Sequence, residues 1–366
     1  MLRVARRDSL CDPHSRALDT PPGSLRSEGI VKLKSALIQI TIATVLAALV
    51  PLVIHSEYAL HVAVLALIFA VLAASWNLVS GYGGMFTFGH QAFFGLGAYV
   101  SALLAMHLGI STYLSIMIGT VFAMVAGVVI CLPVLRLRGA PYIAIATLAF
   151  AEIVKLIADN LTSLTHGESG LAGIPPLSPI GAMTFSIADS RPYYYCALVL
   201  LAVTMVLVAA VLASPIGLAF GAIRDSQDAA ESIGVDVTKY KVLLFMLSSA
   251  LAGMAGGLFA HYVTVLTPSS ILGIDVMVQI IAMALIGGLG TLFGPVVGAI
   301  ILTVGLELLR SLGDYQLMLY GALLVIIIIV LPRGLSSLPM LIASAATKQP
   351  SLRGESWKHP IKQREP

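Results

Sequence analysis

The sequence predicts an all-α membrane protein, a polytopic bundle of about ten transmembrane helices, on three observations. Hydrophobic residues make up 58% of the 366 residues and charged residues only 11%, less than half the usual share in soluble domains. The mean hydropathy is +0.97. Apolar windows of about 20 residues, enough for a helix to cross about 30 Å of hydrocarbon, recur along the chain. Because no water satisfies open backbone groups in hydrocarbon, these windows should be helical.

The predicted spans follow one another along most of the chain, and the eighth and ninth are short. They are 35–54, 59–79, 84–107, 112–135, 140–158, 193–213, 242–262, 274–290, 293–309 and 314–331. If the N terminus is cytoplasmic and ten spans alternate, 18 of the 21 Lys and Arg residues lie in cytoplasmic segments, and only Arg191 in an outside loop. This asymmetry predicts that both termini are cytoplasmic.

The charge pattern also divides the chain into a membrane domain and two tails. Residues 1–33 are expected to be a disordered cytoplasmic tail and residues 337–366 a second cytoplasmic tail. The membrane domain, 34–336, contains a cytoplasmic loop at 214–241 and an outer loop at 159–192. The net charge of +3 is explained by the inside excess of basic residues, so no nucleic-acid surface is predicted.

The common motifs of nucleotide-binding, metal-dependent and hydrolytic enzymes are absent from the sequence. It contains no phosphate-binding loop, no zinc-protease motif, no CxxC pair and no serine-hydrolase elbow. The three cysteines, Cys11, Cys131 and Cys196, are far apart and suggest neither a disulfide nor a metal site. No catalytic residue, cofactor or metal is therefore predicted, and if ATP drives this protein, a partner must bind it.

Charged residues inside the spans are few. Glu152 and Lys155 lie in the fifth span, Asp275 near the start of the eighth, and Glu307 and Arg310 at the end of the ninth. A charge at the bilayer centre costs about 2.5 to 3.5 kcal/mol on insertion scales, so each is a functional candidate. In each pair, Glu152 with Lys155 and Glu307 with Arg310, the two residues are three positions apart on one helix face. Each can therefore also be a structural ion pair.

Glycines cluster in the third predicted span, "GYGGMFTFGHQAFFGLGAYVSALL" from Gly81 to Leu104. Two interpretations stay open: tight packing against a neighbouring helix, or an interrupted helix whose free backbone and polar groups line a pathway. Similar small-residue spacing at Gly253 and Gly257, and at Gly287, Gly288, Gly290, Gly294 and Gly298, is interpreted as packing seams.

A polar insert, "RDSQDAAESIGVDVTKYK" from 224 to 241, separates two apolar spans. Before it, Ile216, Phe220 and Ile223 are spaced as on an amphipathic helix that lies along the membrane surface. Within it, Asp225 or Ser226 can cap a helix of about two turns over 226–233. Such a short helix needs something to pack on, which makes it a good docking element; an ordinary solvated loop is the alternative.

Long stretches of the chain resemble the LivM-type permease subunits of ABC importers for branched-chain amino acids, roughly over residues 36–336. They are "WNLVSGYGGMFTFGHQAFFGLGAY" (76–99), "LRLRGAPYIAIATLAFAEI" (135–153), "LTHGESGLAGIP" (164–175), the polar insert with "SSALAGMAGGLFAHY" (224–262), "PSSILGIDVMVQIIAMALIGGLGTLFGPVVGA" (268–299) and "LPRGL" (331–335). The sequence departs from the family at His166 and Asp275, where glycine and serine are common, which puts the substrate range in doubt.

The resemblance implies a type II importer architecture in the bacterial inner membrane, with ATP hydrolysed by other subunits. It implies as partners a second permease of LivH type, two ATP-binding subunits, a periplasmic substrate-binding protein and membrane lipid. The insert is similar to the coupling loop that docks into the ATPase, with an Ala-Ala-x-x-x-Gly core. Residues expected to couple to the ATPase are Arg224, Asp225, Ala229, Ala230, Glu231, Gly234 and Lys239.

Polar residues at membrane depth are candidates for the translocation path, which would open by alternating access. They are Asn77, His90, Gln91, Thr147, Glu152 and Gln279. A permease for urea or short-chain amides stays open as an alternative, because its fold would be closely similar. An ion-coupled secondary transporter, with Glu152 and Asp275 as ion-binding carboxylates, and a channel are the rivals from other classes.

Overall fold

The computed structural model describes residues 22–137, 139–179, 181, 184–186, 189–310, 318 and 321–322. Its long helices are α1 (Pro22–Ala48), α3 (Glu57–Asn77), α4 (His90–Leu108), α5 (Thr112–Val134), α6 (Ala140–Asn160), α8 (Arg191–Leu212), α9 (Pro215–Asp225), α11 (Val237–Val263), α13 (Ile274–Gly287) and α14 (Gly294–Leu309). Short helices are α2 (Val50–Val53), α7 (Thr162–Thr165), α10 (Gln227–Ser232) and α12 (Pro268–Leu272). A π-helix (Leu78–Tyr82) continues α3, a 3₁₀ turn (Gly167–Ser169) follows α7, and strands β1 (Leu171–Ala172) and β2 (Val265–Leu266) form one pair.

The all-α fold and the first eight predicted spans are confirmed. Eight helical segments of the described residues are long and apolar enough to cross a membrane, the last of them running from α12 through α13. The ninth predicted span is the shorter apolar helix α14. The tenth, 314–331, lies outside the described residues except at 318 and 321–322, and the C-terminal tail lies wholly outside them.

Three helix starts differ from the prediction. Helix α1 begins at Pro22, so 22–33, expected in the disordered tail, is helical: Leu and Lys are good helix formers, and the span that follows supplies the nucleus. The third span begins only at His90. The eighth begins at Pro268 and breaks at Gly273, because Thr267 and Ser270 form a capping box that starts α12 early.

Helix α11 is the centre of the bundle. It packs against α4, α5 and α3, while α14 and α13 cover the other side of α3, and α8 lies between α3 and α1. Trp76, Phe94 and Phe245 are almost completely buried in the core between these helices. The large aromatic rings thus fix the spacing of the central helices, around which the outer ones are arranged.

Glycine lets α4 and α11 approach to backbone contact, as the packing interpretation predicted. A Cβ on Gly97 would lie 2.1 Å from the carbonyl oxygen of Gly253, and one on Gly256 would lie 1.9 Å from that of Phe94. Gly257 of the same helix faces α5 instead, where a Cβ would be 3.0 Å from the Ile116 side chain. No larger residue fits at Gly97 or Gly256 without moving a backbone.

The seam of α13 against α14 is made in the same way by Gly287, Gly294 and Gly298. A Cβ on Gly298 would lie 1.9 Å from the Met283 carbonyl oxygen. Gly288 and Gly290 are different, because they lie in the turn between the two helices at φ 111° and 70°. These two glycines therefore supply the left-handed backbone that the turn requires, and Gly290 packs on Gly81 rather than in the seam of α13 with α14.

The segment after α6 is fastened to the connection between α11 and α12. Strand β1 pairs antiparallel with β2, Leu171 opposite Leu266. Next to the pair, Nδ1 of His261 lies 2.8 Å from the carbonyl oxygen of Pro175, and the hydroxyl of Tyr113 donates to the Ser178 carbonyl at 2.7 Å. The predicted outer loop is therefore anchored to the ends of α11 and α5 at several points.

Candidate coupling and translocation site

Helix α9 packs its apolar stripe on the protein itself. Phe220 and Ile223 are 1% and 7% exposed, and the Phe220 ring meets Tyr240 of α11 edge-on with centroids 6.3 Å apart. The amphipathic helix predicted here is confirmed, and its apolar stripe packs on the bundle. Ser214 ends the connection from α8 by accepting the N–H of Ile216 at 3.2 Å, which caps the start of α9.

The two-turn helix predicted in the polar insert is confirmed as α10. Oγ of Ser226 accepts the N–H of Ala229 at 3.3 Å and caps its start. At its end the N–H of Val235 donates to the carbonyl of Ala230, and that of Gly234 to the carbonyl of Glu231, both at 3.0 Å. With Gly234 at φ 88°, these bonds form a Schellman motif, so sequence chemistry defines both ends of α10.

The residues expected to couple to an ATPase fall into two groups. Ala230 is 1% exposed and packs with Ile223 and Val237, so it anchors α10 between α9 and α11. The exposed members are Arg224, Asp225, Ala229, Glu231, Gly234 and Lys239. Beside them, Ile233 is 75% exposed, an apolar residue at the tip of a polar loop that the sequence reasoning missed although its composition marks it.

Lys241 is a further residue that the sequence reasoning missed. It is 5% exposed near the start of α11, and its Nζ donates to Oε1 of Gln227 at 2.7 Å. Lys241 therefore ties the first turn of α10 to α11 with a hydrogen bond from a charged donor, a kind that is worth about 1.5 to 3 kcal/mol. Its only local signal is a lysine on the otherwise apolar side of a span.

Replacing Lys241 with alanine is expected to loosen α10 without unfolding the bundle. Loss of the charged hydrogen bond should raise amide exchange over 227–233 by about tenfold or more, following the energy of such bonds. Hydrogen exchange read by mass spectrometry on the purified protein measures this. Lys239→Ala is the matched control, because Lys239 is exposed on the same turn, and exchange that rises equally in both variants would contradict the tether.

Arg224 connects α9 with the end of the π-helix. Its Nε pairs with Oδ1 of Asp225 at 3.3 Å, and its Nη1 lies 3.4 Å from the carbonyl oxygen of Gly81. The Arg224 side chain also packs on Gly84, where φ is 68° and a Cβ would lie 2.7 Å from Cγ of Arg224. The turn after the π-helix and the segment before α10 are thus in direct contact.

The glycine-rich segment combines the two interpretations that the sequence left open. Residues 83–89 are not helical, and Gly95 and Gly97 beyond them are packing positions. Partners outside the segment hold its backbone: Nε1 of Trp76 donates to the Thr87 carbonyl at 2.9 Å, and the N–H of Phe88 donates to Oγ1 of Thr147 at 2.9 Å. Irregular backbone is tolerated here because protein groups satisfy it.

Two of the predicted path residues are engaged in holding turns. Asn77 is 2% exposed; its Nδ2 donates to the Thr291 carbonyl at 3.0 Å and its Oδ1 accepts the N–H of Gly290 at 2.9 Å. Thr147 is also 2% exposed and holds Phe88 as described. Both side chains use their polar groups on the backbone, so in this conformation neither presents a free group to a path.

His90 and Gln91 are different, because they carry unpartnered buried atoms. Ser248 donates to the Ser75 carbonyl at 2.7 Å, so its oxygen accepts from Nε2 of His90, also at 2.7 Å. This leaves Nδ1 of His90, both polar atoms of Gln91 and Oγ1 of Thr87 without a partner. Four unsatisfied polar atoms within residues 87–91, at the entry to α4, are costly unless water, a ligand or another conformation satisfies them.

Glu152 and Gln279 are half-buried on α6 and α13. The structural ion pair considered for Glu152 with Lys155 is absent: the ion pairs within the described residues are Arg224 with Asp225 and Glu307 with Arg310. The latter, at 3.1 Å, confirms the second predicted pair, and Tyr58 donates to Glu307 as well. Asp275 is exposed in the first turn of α13, where the helix dipole favours a carboxylate.

A bundle of membrane-length apolar helices with interrupted helices is typical of membrane transport proteins, and comparison with known proteins gives the family. The family described as "Branched-chain amino acid transport system / permease component" matches residues 58–329. The chain belongs to this family. It is a multi-pass inner-membrane permease component.

Curated relatives carry the names of two kinds of permease. The "High-affinity branched-chain amino acid transport system permease protein LivM" of Escherichia coli K12 is 32% identical over 320 residues, 82% of this chain and 74% of the relative. LivM of Salmonella typhimurium is 31% identical with the same coverage, and LivH of Escherichia coli K12 is 26% identical over 286 residues, 74% of this chain and 92% of the relative. No solved structure matches the chain at a significant level.

Proposed function

We propose that this chain is the LivM-type permease subunit of an ABC importer that carries branched-chain amino acids into the cell. Its partners would be a LivH-type permease, two ATP-binding subunits and a periplasmic substrate-binding protein. The observation that carries the proposal is α10, a capped two-turn helix with an exposed face, anchored to α9 and α11 by Ala230 and Lys241. A solvated loop would need neither anchor.

The orientation follows from placing α10 on the cytoplasmic side. Segment 214–241 would then be the coupling loop, segment 159–192 would face the periplasm with its anchored β1, and the tails 1–33 and 337–366 would be cytoplasmic. The excess of Lys and Arg in these inner segments supports this orientation. The outer loop is the surface that a loaded binding protein would reach.

In the proposed mechanism, ATP binding closes the two ATPase subunits and displaces α10. Arg224, Asp225, Ala229, Glu231, Gly234 and Lys239 would form the docked surface, to which we add the exposed Ile233. Arg224 would pass the displacement on, since its guanidinium reaches the Gly81 carbonyl next to the irregular segment 83–89. A packed contact of this kind transmits motion as a shift of one element against another.

The path would lie where polar groups have no fixed protein partner. Gln91, with both polar atoms unpaired, and Glu152 and Gln279, half-buried on their helices, fit this requirement. His90 would contribute Nδ1 alone. Asn77 and Thr147 would instead act as framework residues that hold the turns beside the path.

Reconstitution tests the proposal. The chain, a LivH-type permease, the ATP-binding subunits and the binding protein should together give saturable uptake of labelled leucine, isoleucine and valine into proteoliposomes. Uptake should require ATP on the α10 side and the binding protein on the other, and an ATPase subunit unable to hydrolyse ATP is the control. Uptake that persists without ATPases and collapses with the proton gradient, or uptake of urea instead of these amino acids, would refute it.

A further inference from the structure

Helix α6 carries two opposite charges within a membrane span. Glu152 is twelve residues from the first residue, Ala140, which places it about 18 Å along the axis and about 12 Å from the far end. Lys155 is three residues further on, hence on the same side of the helix. Both side chains are half-buried.

The face of α6 with these charges is not the one that packs on the bundle. The packed face is formed by Ile143, Ala151 and Ala158, which are at most 7% exposed. On a helix with 100° between residues, Glu152 and Lys155 lie well to one side of this face. A charged pair there is costly against lipid, so in the assembled transporter this side of α6 faces protein or water.

Glu152 and Lys155 stay apart although their spacing allows an ion pair. Glu307 and Arg310 on α14 have the same order and spacing, a glutamate followed three residues later by a base, and they close to 3.1 Å. Glu152 and Lys155 do not come within ion-pair distance, and no other charged residue of the described chain pairs with them. Glu307 and Arg310 thus form an ion pair, whereas Glu152 and Lys155 each remain able to bind another charged group.

We propose that Glu152 and Lys155 together bind the zwitterionic head of the transported amino acid. The Glu152 carboxylate accepts from the α-ammonium group, and the Lys155 ammonium donates to the α-carboxylate. A free amino acid is the ligand that offers both charges on one carbon, so it neutralises both side chains at once. The inference rests on the proposed function and deepens it. It assigns a role to Lys155, and in it the two residues recognise the charged head of the amino acid rather than the amino acid's side chain.

Glu152→Gln and Lys155→Met test the proposal in the reconstituted complex. Each should lower ATP-driven leucine uptake by about tenfold or more, as expected for loss of a charged contact, while subunit stoichiometry and binding-protein-stimulated ATP hydrolysis stay within about twofold. Asp159→Asn is the matched control: it removes a half-buried carboxylate one residue before the end of the same helix and should leave uptake unchanged.

A charge exchange separates the substrate from a fixed protein partner. The double variant Glu152→Lys with Lys155→Glu should recover uptake well above either single variant, because a free zwitterion can bind in the reversed orientation. Uptake that is normal in both single variants, loss of the second permease from the complex, or a double variant as inactive as the single ones would each overturn the proposal. A wild-type complex that imports no branched-chain amino acid would instead refute the proposed function.

Discussion

Gly234→Trp is expected to abolish ATP-driven uptake while the chain still inserts and binds its partner permease. A Cβ at Gly234 would meet no heavy atom within 4 Å, so the indole has room in the isolated chain and projects from the exposed end of α10. The cost to the chain itself is the left-handed backbone at φ 88°, about 1 to 2 kcal/mol for a residue with a side chain. A docked ATPase, in contrast, would meet the whole ring.

The control for this prediction is Gly234→Ala, which has the same backbone strain without the ring. It should keep uptake within about threefold of the wild type, since its strain is local. A cysteine in place of Ala229 should crosslink to an ATP-binding subunit in the wild-type background and not in the Gly234→Trp background. Normal uptake in Gly234→Trp, or equal loss in Gly234→Ala, would show that the end of α10 is not a docking surface.

Gly256→Ala is expected to prevent accumulation of folded protein. The new methyl group would lie 1.9 Å from the carbonyl oxygen of Phe94, in the contact where α4 and α11 meet backbone to backbone. Neither helix can give way locally, because α11 is also packed against α3 and α5. We expect a loss of more than about 3 kcal/mol, at the upper end of overpacking effects.

Gly221→Ala is the same substitution, but its expected effect on stability has the opposite sign. Gly221 lies in α9, and a Cβ there meets nothing within 4 Å, so alanine should stabilise the helix by about 1 kcal/mol or less. Size-exclusion profiles and thermal midpoints in mild detergent compare the two variants. If Gly256→Ala keeps the wild-type midpoint, the close approach of α4 and α11 does not determine stability.

The features that local chemistry determines could be predicted from the sequence. The apolar windows locate the first eight spans and the shorter helix α14, and the residues Ser226 and Gly234 locate both ends of α10. These predictions succeed because a span needs only length and hydrophobicity, and a cap needs only neighbours in sequence. Where a window mixes turn and helix, as in 83–89, hydrophobicity alone gives the wrong start.

The features that depend on distant partners could not be predicted. Asn77 is a polar residue in a span, and only its two bonds to a turn more than 200 positions away show that it holds that turn. Lys241 looks like one more basic residue beside Lys239 until the fold buries it against Gln227. The spacing of Glu152 and Lys155 likewise does not show that they stay unpaired, because Glu307 and Arg310 form an ion pair at the same spacing.

Helix α11 connects the two regions on which the proposed transport cycle depends, the α10 loop and the β1–β2 pair. At about 1.5 Å per residue its 27 residues form a rod of about 40 Å. One end holds α10 through Lys241, and the other continues into β2, which pairs with β1. A tilt of about 10° about the middle of the helix would move each end by about 3.5 Å on that length, enough to break a hydrogen-bonded strand pair. The release of the outer loop and the shift of the docked helix would then be two ends of one rigid-body rotation.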